Sequence, residues 1–180
     1  MLRQLLARLR PDESCDALYR SIVAQARQPA FYGGDGVPDT PGGRFELLIL
    51  HAALAIRRLR RDGPAGQQTA QALFDLMFKD LDRNLREMGV GDLVVPKRIR
   101  KMGEAFYGRA GAYDAGLDAE DDAVLADALA RNLFDGRAGA DRLDSMVRYL
   151  RDCDEMLAAT GRDIIEAGDP DWPAAPGVLA

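Results

Sequence analysis

Histidine and cysteine are scarce in this sequence, which has one histidine and two cysteines among its 180 residues. A single histidine excludes a multi-histidine metal site, and its place within the most apolar part of the chain does not favour a catalytic triad. Cys15 and Cys153 follow no metal-binding or redox spacing. Both lie in helical patterns, so we expect reduced, buried thiols of the kind found in a cytoplasm.

Long hydrophobic runs and strand patterns are missing too. The longest nearly apolar run, Leu47 to Ile56, is interrupted by His51, and a membrane-spanning helix needs about 20 apolar residues. Val, Ile and Thr do not gather into alternating runs, and the hydrophobic period is near 3.6 residues throughout. We therefore predict an all-α fold, a single-domain helical bundle of about six to seven helices.

The apolar spacing and the breaking residues divide the chain into segments. We predict an amphipathic segment over 1–11, a helical domain over 12–168 and a flexible tail over 169–180, in which Trp172 is loosely packed. Within the domain the patterns predict helices over about 12–27, 40–61, 66–88, 96–107 (extending towards 117 if its glycines are tolerated), 120–134 and 141–159. Thr40 is expected to cap the second of these, which should be the central buried helix, and Gly89 to end the third.

The net charge of −5 is unevenly distributed. Residues 1–111 hold 18 Lys and Arg against 13 Asp and Glu, a net +5, and residues 112–180 hold 6 against 16, a net −10. Two arrangements stay open. The acidic part lies along the basic part and neutralises it, or a basic contact surface is exposed.

No set of residues in this sequence indicates a reaction centre. Asp75 and Asp82 each precede a cation by four residues, which predicts the surface ion pairs Asp75–Lys79 and Asp82–Arg86. His51 is expected to be a satisfied core imidazole, with haem ligation as the less favoured alternative. We predict no catalytic, cofactor-binding or metal-binding residues.

Four short motifs carry a family resemblance: GVPDT at 36–40, GRF at 43–45, REMGVGDL at 86–93 and FYGR at 106–109. Together, over about residues 19–149, they resemble the ubiquinol-cytochrome c chaperone family. The resemblance implies a non-enzymatic, cofactor-free assembly factor that receives newly made cytochrome b of the bc1 complex. Some mitochondrial members of that family act at the ribosome, so the resemblance also raises a ribosome contact.

Two regions are candidates for binding a partner: the glycine-rich loop over 31–43 and the segment around Gly89 to Pro96 with the helix that follows it. Glycines in a loop leave backbone groups open for contact, and methionines adapt to an apolar client. Met77 and Met88 we assign to the core. The predicted partner-binding residues are Asp39, Arg44, Lys97, Arg98, Lys101, Met102, Phe106 and Tyr107.

The cations at 97–101 stand at the start of a predicted helix, where the helix dipole disfavours positive charge. Local stability therefore does not account for them. Three interpretations compete: a solvated face, a docking site for an acidic protein or a phospholipid, and a contact with ribosomal RNA.

The first ten residues place leucines on one side of a short helix and arginines on the other. Such a helix packs on its own bundle or lies in a membrane interface. For the second case the predicted membrane-contact residues are Leu2, Arg3, Leu5, Leu6 and Leu9.

These observations favour a monomeric assembly chaperone that holds a membrane-protein client and does not bind DNA; the family resemblance implies cytochrome b as that client. Composition typical of bacteria, and little sequence before the shared region, favour a bacterial protein without a transit peptide. Because bacterial cytochrome b is inserted from the cytoplasm, we expect the protein there, in peripheral contact with the inner membrane. Two rival functions are an enzyme or binding protein acting on an isoprenoid or quinone, and an RNA-binding or ribosome-binding module.

Overall fold

The described part of the chain, residues 11–177 of a computed structural model, contains helices and loops but no strand. An isolated bridge between Tyr32 and Val37 is the one β-type pairing there. The elements are α1 (Pro11–Ala26), a 3-10 turn (Pro29–Phe31), α2 (Pro41–Arg60), α3 (Gly63–Glu87), α4 (Val95–Asp118), α5 (Asp122–Leu133), α6 (Ala140–Ala159) and α7 (Arg162–Glu166). The predicted all-α fold is confirmed.

Helix α2 forms the centre of the bundle. Every residue from Leu47 to Ile56 is buried except Leu48, and α1, α3, α4, α5 and α6 all contact this helix. Thr40 caps it as predicted, because its hydroxyl accepts a hydrogen bond of 3.1 Å from the Gly43 amide. An apolar surface on all sides requires neighbours on all sides, so α2 dictates how the other helices are arranged.

Helix α4 takes the longer of its two predicted extents, and one predicted core residue lies outside the core. Helix α4 runs unbroken to Asp118, because Gly108 and Gly111 sit on its outer side and its packing outweighs a cost of about 1 kcal/mol for each glycine. Helix α3 ends at Glu87, and Gly89 adopts the predicted left-handed conformation with φ of 81°. Met88, expected in the core, is instead 65% exposed because it lies past the end of α3.

Residues 169–177 contact the bundle, unlike the loose tail and surface tryptophan that the sequence suggests. The Trp172 indole donates to the Ser21 hydroxyl at 3.0 Å, and its ring lies 5.5 Å from that of His51. Buried Arg142 donates to the carbonyl oxygens of Pro176 and Gly177 at 3.1 and 2.8 Å. Proline-rich composition concealed these contacts, since those of Arg142 involve backbone carbonyls of any residue type and those of Trp172 come from one side chain.

The acidic part of the chain does pair with the basic part at one place. Arg57 of α2 donates to Asp114 at 3.3 Å, Asp118 at 2.5 Å and Asp154 at 3.1 Å. These carboxylates come from α4 and α6, so the cluster joins three helices. Part of the charge asymmetry is therefore neutralised internally.

One of the two predicted surface ion pairs forms. Arg86 donates to Asp82 at 2.6 Å. The prediction of an Asp75–Lys79 pair is wrong. Asp75 instead accepts a hydrogen bond of 2.8 Å from Gln71, one turn earlier on α3.

We predict opposite effects of alanine at two glycines of α4. A Cβ atom at Gly116 would lie 2.7 Å from the Leu125 Cα atom, so Gly116→Ala must push α5 away from α4. We expect a loss of about 1–3 kcal/mol in the free energy of unfolding. Gly108 has open space around it, and Gly108→Ala should add about 0.5–1 kcal/mol. Urea unfolding of both variants measures these changes; a Gly116→Ala variant as stable as Gly108→Ala would contradict the packing described.

Candidate functional site

An apolar groove of about 320 Å³ opens between α1, α2, α3 and α4. Phe45 and Leu48, one turn apart on α2, form part of its wall, and both are only partly buried. The groove is thus a place where the covering of α2 is incomplete. The other apolar lining residues are Val23, Ala26, Pro41, Leu81, Leu85, Met88 and Met102.

The rim of the groove is mainly cationic. Arg27, Arg44 and Arg98 line it, and Asp80 is the one carboxylate among the lining residues. Asp80 is already satisfied, because it accepts hydrogen bonds from the Tyr19 hydroxyl at 2.9 Å and from Asn84 at 3.1 Å, besides an ion pair with Arg83. Among the described residues Arg27 and Arg98 make no ion pair, so they remain available to an anionic group.

At one end the groove borders the α3–α4 turn, residues 88–94. This turn exposes Leu93 and Val94 at 96% and 45% in addition to Met88. Exposed aliphatic side chains in succession next to an apolar groove are typical of an interaction surface.

Three of the predicted partner-binding residues lie at the groove, and three lie close to its edge along the chain. Arg44, Arg98 and Met102 line the groove. Asp39 binds Arg44 at 2.7 Å, and this guanidinium holds the pKa of the Asp39 carboxyl below its usual range. Lys97 and Lys101 are exposed in the first turns of α4.

The prediction that Phe106 binds a partner is wrong, because its side chain is buried. It is 1% exposed and packs against Phe74 and Phe78 in an aromatic cluster. Successive residues of a helix lie about 100° apart, so Phe106 and Tyr107 do not face the same side. Tyr107 is exposed but stacks on Phe74, away from the groove.

Sequence reasoning missed the contribution of α1 and, within the predicted segment around Gly89 to Pro96, the residues Leu93 and Val94. Tyr19, Val23 and Arg27 line the groove, but in the sequence they belong to an ordinary amphipathic helix. The exposure of Leu93 and Val94 could have been predicted, since two aliphatic residues within a glycine-containing turn lie outside the helices that form the core.

The sole histidine lies in the core, on the side of α2 that the tail covers. His51 Nδ1 is 2.7 Å from the Leu47 carbonyl oxygen, and Nε2 is 2.7 Å from the Tyr149 hydroxyl. Tyr149 in turn accepts a hydrogen bond of 2.8 Å from Gln25. The predicted satisfied core imidazole is confirmed.

The proposed membrane-contact residues Leu2, Arg3, Leu5, Leu6 and Leu9 lie outside the described residues. Within 11–177, no helix has the length and apolar character needed to cross a bilayer. In the same part of the chain, no group of His, Cys, Asp and Glu side chains is arranged to hold a metal ion.

A helical bundle with an apolar groove and a cationic rim defines a binding protein. The model of the ubiquinol-cytochrome c chaperone family matches residues 35–172. The chain therefore belongs to this family, as the motifs predicted. The family is one of chaperones, which confirms the expectation of a protein that does not act as an enzyme.

Relatives with known names agree with this membership. Ubiquinol-cytochrome-c reductase complex assembly factor 1 of Xenopus laevis is 28% identical over 157 residues, 86% of this chain and 78% of the relative. The yeast Protein CBP3, mitochondrial, from Saccharomyces cerevisiae is 34% identical over 125 residues, 67% of this chain and 37% of its own length. The chain spans about half of the human assembly factor 1, 52%.

A solved structure resembles the whole bundle. The crystal structure of the Cbp3 homolog from Brucella abortus is 41% identical, with a TM-score of 0.83. The match covers 97% of this chain and 98% of the Brucella chain. The fold is therefore shared with a bacterial member.

We predict that His51 makes stability depend on pH. Burial lowers the pKa of His51 from 6.5 to about 4, so between these values the unfolded chain binds a proton that the folded chain does not. As the pH drops from 6.5 to 4, protonation of His51 in the unfolded chain should lower the free energy of unfolding by about 3 kcal/mol. Denaturant titrations at several pH values in this range give the free energy of unfolding, and its slope against pH should be shallower for His51→Gln than for the wild type. Equal slopes for the two proteins would contradict the described burial.

Proposed function

We propose that this chain is an assembly chaperone of ubiquinol-cytochrome c reductase that holds newly made cytochrome b in the groove. The observation that carries the proposal is the gap in the covering of α2 at Phe45 and Leu48. A helical side of the client would complete the covering that α1, α3 and α4 leave open. The names of the relatives support the assembly role.

The groove suits part of an apolar helix rather than a whole one. Its volume of about 320 Å³ is near the low end for ligand pockets. A client helix would therefore insert a few side chains spaced three and four residues apart. Met88 and Met102 both line the groove, and methionine side chains adapt to different partners, which suits an unfinished client.

The cationic rim supplies the polar part of the recognition. Arg27 and Arg98 are free to meet client carboxylates or the negative carboxyl end of a client helix. Arg44 is already oriented by Asp39, so we assign it a positioning role at the mouth of the groove. Lys97, Lys101 and Tyr107 remain candidate contacts outside the groove.

We place the protein in a bacterial cytoplasm, as a monomer at the inner membrane. The likeness to the Brucella chain supports the bacterial assignment. Cytochrome b is inserted into the membrane from the cytoplasmic side, so a chaperone for it works at that surface.

The test is photo-crosslinking in cells that make cytochrome b. A photoreactive amino acid at Leu85 or Met102, both in the groove, should attach to cytochrome b. The control position is Ile164, which has a comparable side chain that is 46% exposed on α7. Crosslinks from Ile164 but not from the groove would overturn the proposed site.

A charged substitution in the groove tests whether the groove is needed to capture the client. Leu85→Asp places a carboxylate against apolar walls and should reduce capture of cytochrome b at least tenfold, since burying an unpaired charge costs more than about 1.4 kcal/mol. Ile164→Asp should capture normally. In a deletion strain, cytochrome b should be lost with quinone content unchanged; the reverse result would favour a quinone enzyme.

A further inference from the structure

The α3–α4 turn carries apolar side chains that contact little of their own molecule. Leu93 is 96% exposed, more than the other exposed large hydrophobic residues of the described chain. Val94 follows it directly at the start of α4. The two residues therefore form a protruding aliphatic tip.

Three exposed cations follow this tip on α4. Lys97 and Lys101 lie one and two turns after it, and Arg98 lies between them. Among the described residues none of the three makes an ion pair. No side chain caps the positive end of α4 either, and Lys97, Arg98 and Lys101 are all exposed.

Nearby carboxylates do not neutralise the surface. Residues 86–104 contain five cations and three acids, a net charge of +2. All three acids already have partners: Asp92 binds Arg86 at 2.5 Å, Glu87 lies 3.9 Å from Arg83, and Glu104 lies 3.7 Å from Arg100.

We propose that the α3–α4 turn docks onto an anionic phospholipid bilayer. Leu93 and Val94 enter the interface, and Lys97, Arg98 and Lys101 contact lipid phosphates. Aliphatic insertion combined with clustered lysine and arginine is the usual chemistry of peripheral membrane binding. This inference adds a membrane contact at the turn to the one predicted for residues 1–10.

The surface fits a lipid headgroup layer better than it fits RNA. Residues 86–101 contain no aromatic side chain, whereas binding of single-stranded RNA relies on aromatic stacking. An RNA backbone would also leave the aliphatic tip exposed to water. The acyl region beneath lipid headgroups would bury it.

Docking at the turn would place the groove next to the bilayer. Met88 belongs to the turn and Arg98 lies one helical turn after Val94, and both line the groove. A client segment leaving the membrane would then reach the groove without crossing open water. This consequence rests on the proposed function, but lipid binding itself does not.

The test is flotation of the purified full chain with vesicles made of equal parts phosphatidylcholine and phosphatidylglycerol. The wild-type chain should float with these vesicles and not with pure phosphatidylcholine. We expect Leu93→Ser to lower the bound fraction about tenfold. We also expect a loss of roughly tenfold or more for the double variant Lys97→Gln and Lys101→Gln.

Matched controls come from exposed residues elsewhere. Ile164→Ser removes a comparable aliphatic side chain, 46% exposed on α7. Lys79→Gln with Arg131→Gln removes two exposed cations on α3 and α5. Both controls should float like the wild type.

Several results would overturn the proposal. It fails if the wild type does not float, if the turn variants float unchanged, or if the controls lose binding equally. Salt-sensitive retention of RNA without vesicle binding would assign the cations to RNA instead.

Capture of detergent-solubilised cytochrome b separates this proposal from the function proposed above. Leu93→Ser should capture the client normally in detergent while failing to float. If capture fails in the wild-type chain but flotation succeeds, the client assignment is wrong and the membrane site stands.

Discussion

The burial of α2 is the constraint on which the rest of the structure depends. Its middle is apolar on nearly every side, so it is stable only when other helices surround it. The ends of α2 are fixed by polar contacts, with Thr40 as the cap and Arg57 held by three carboxylates. The packing of α1, α3, α4, α5 and α6 follows from this one requirement.

The same constraint explains where a partner would bind. The covering of α2 is incomplete at Phe45 and Leu48, and that gap is the groove. On another side of α2 the core is closed by His51 and Tyr149, and Trp172 of the tail packs against the histidine ring. One side of the central helix is therefore sealed by the chain itself, and one is left partly open.

Much of the fold follows from the sequence because periodicity and capping are local. Thr40 and Gly89 determine where a helix begins or ends whatever surrounds them, and both were predictable. The groove was not, because it depends on how far apart α1 and α3 lie. Gly43 shows the limit: its motif was recognisable, but only the structure reveals that a Cβ atom there would lie 2.0 Å from the Pro38 carbonyl oxygen. Phe106 was misassigned because its exposure depends on the helix that packs against it.

The most direct test of the account is hydrogen exchange of the full chain with and without solubilised cytochrome b. If the client completes the covering of α2, exchange should slow over 19–27, over 81–88 and over 98–102, the segments that line the groove. Helices α5 and α6 should exchange at unchanged rates. Protection confined to α5 and α6, with none at the groove, would contradict the account.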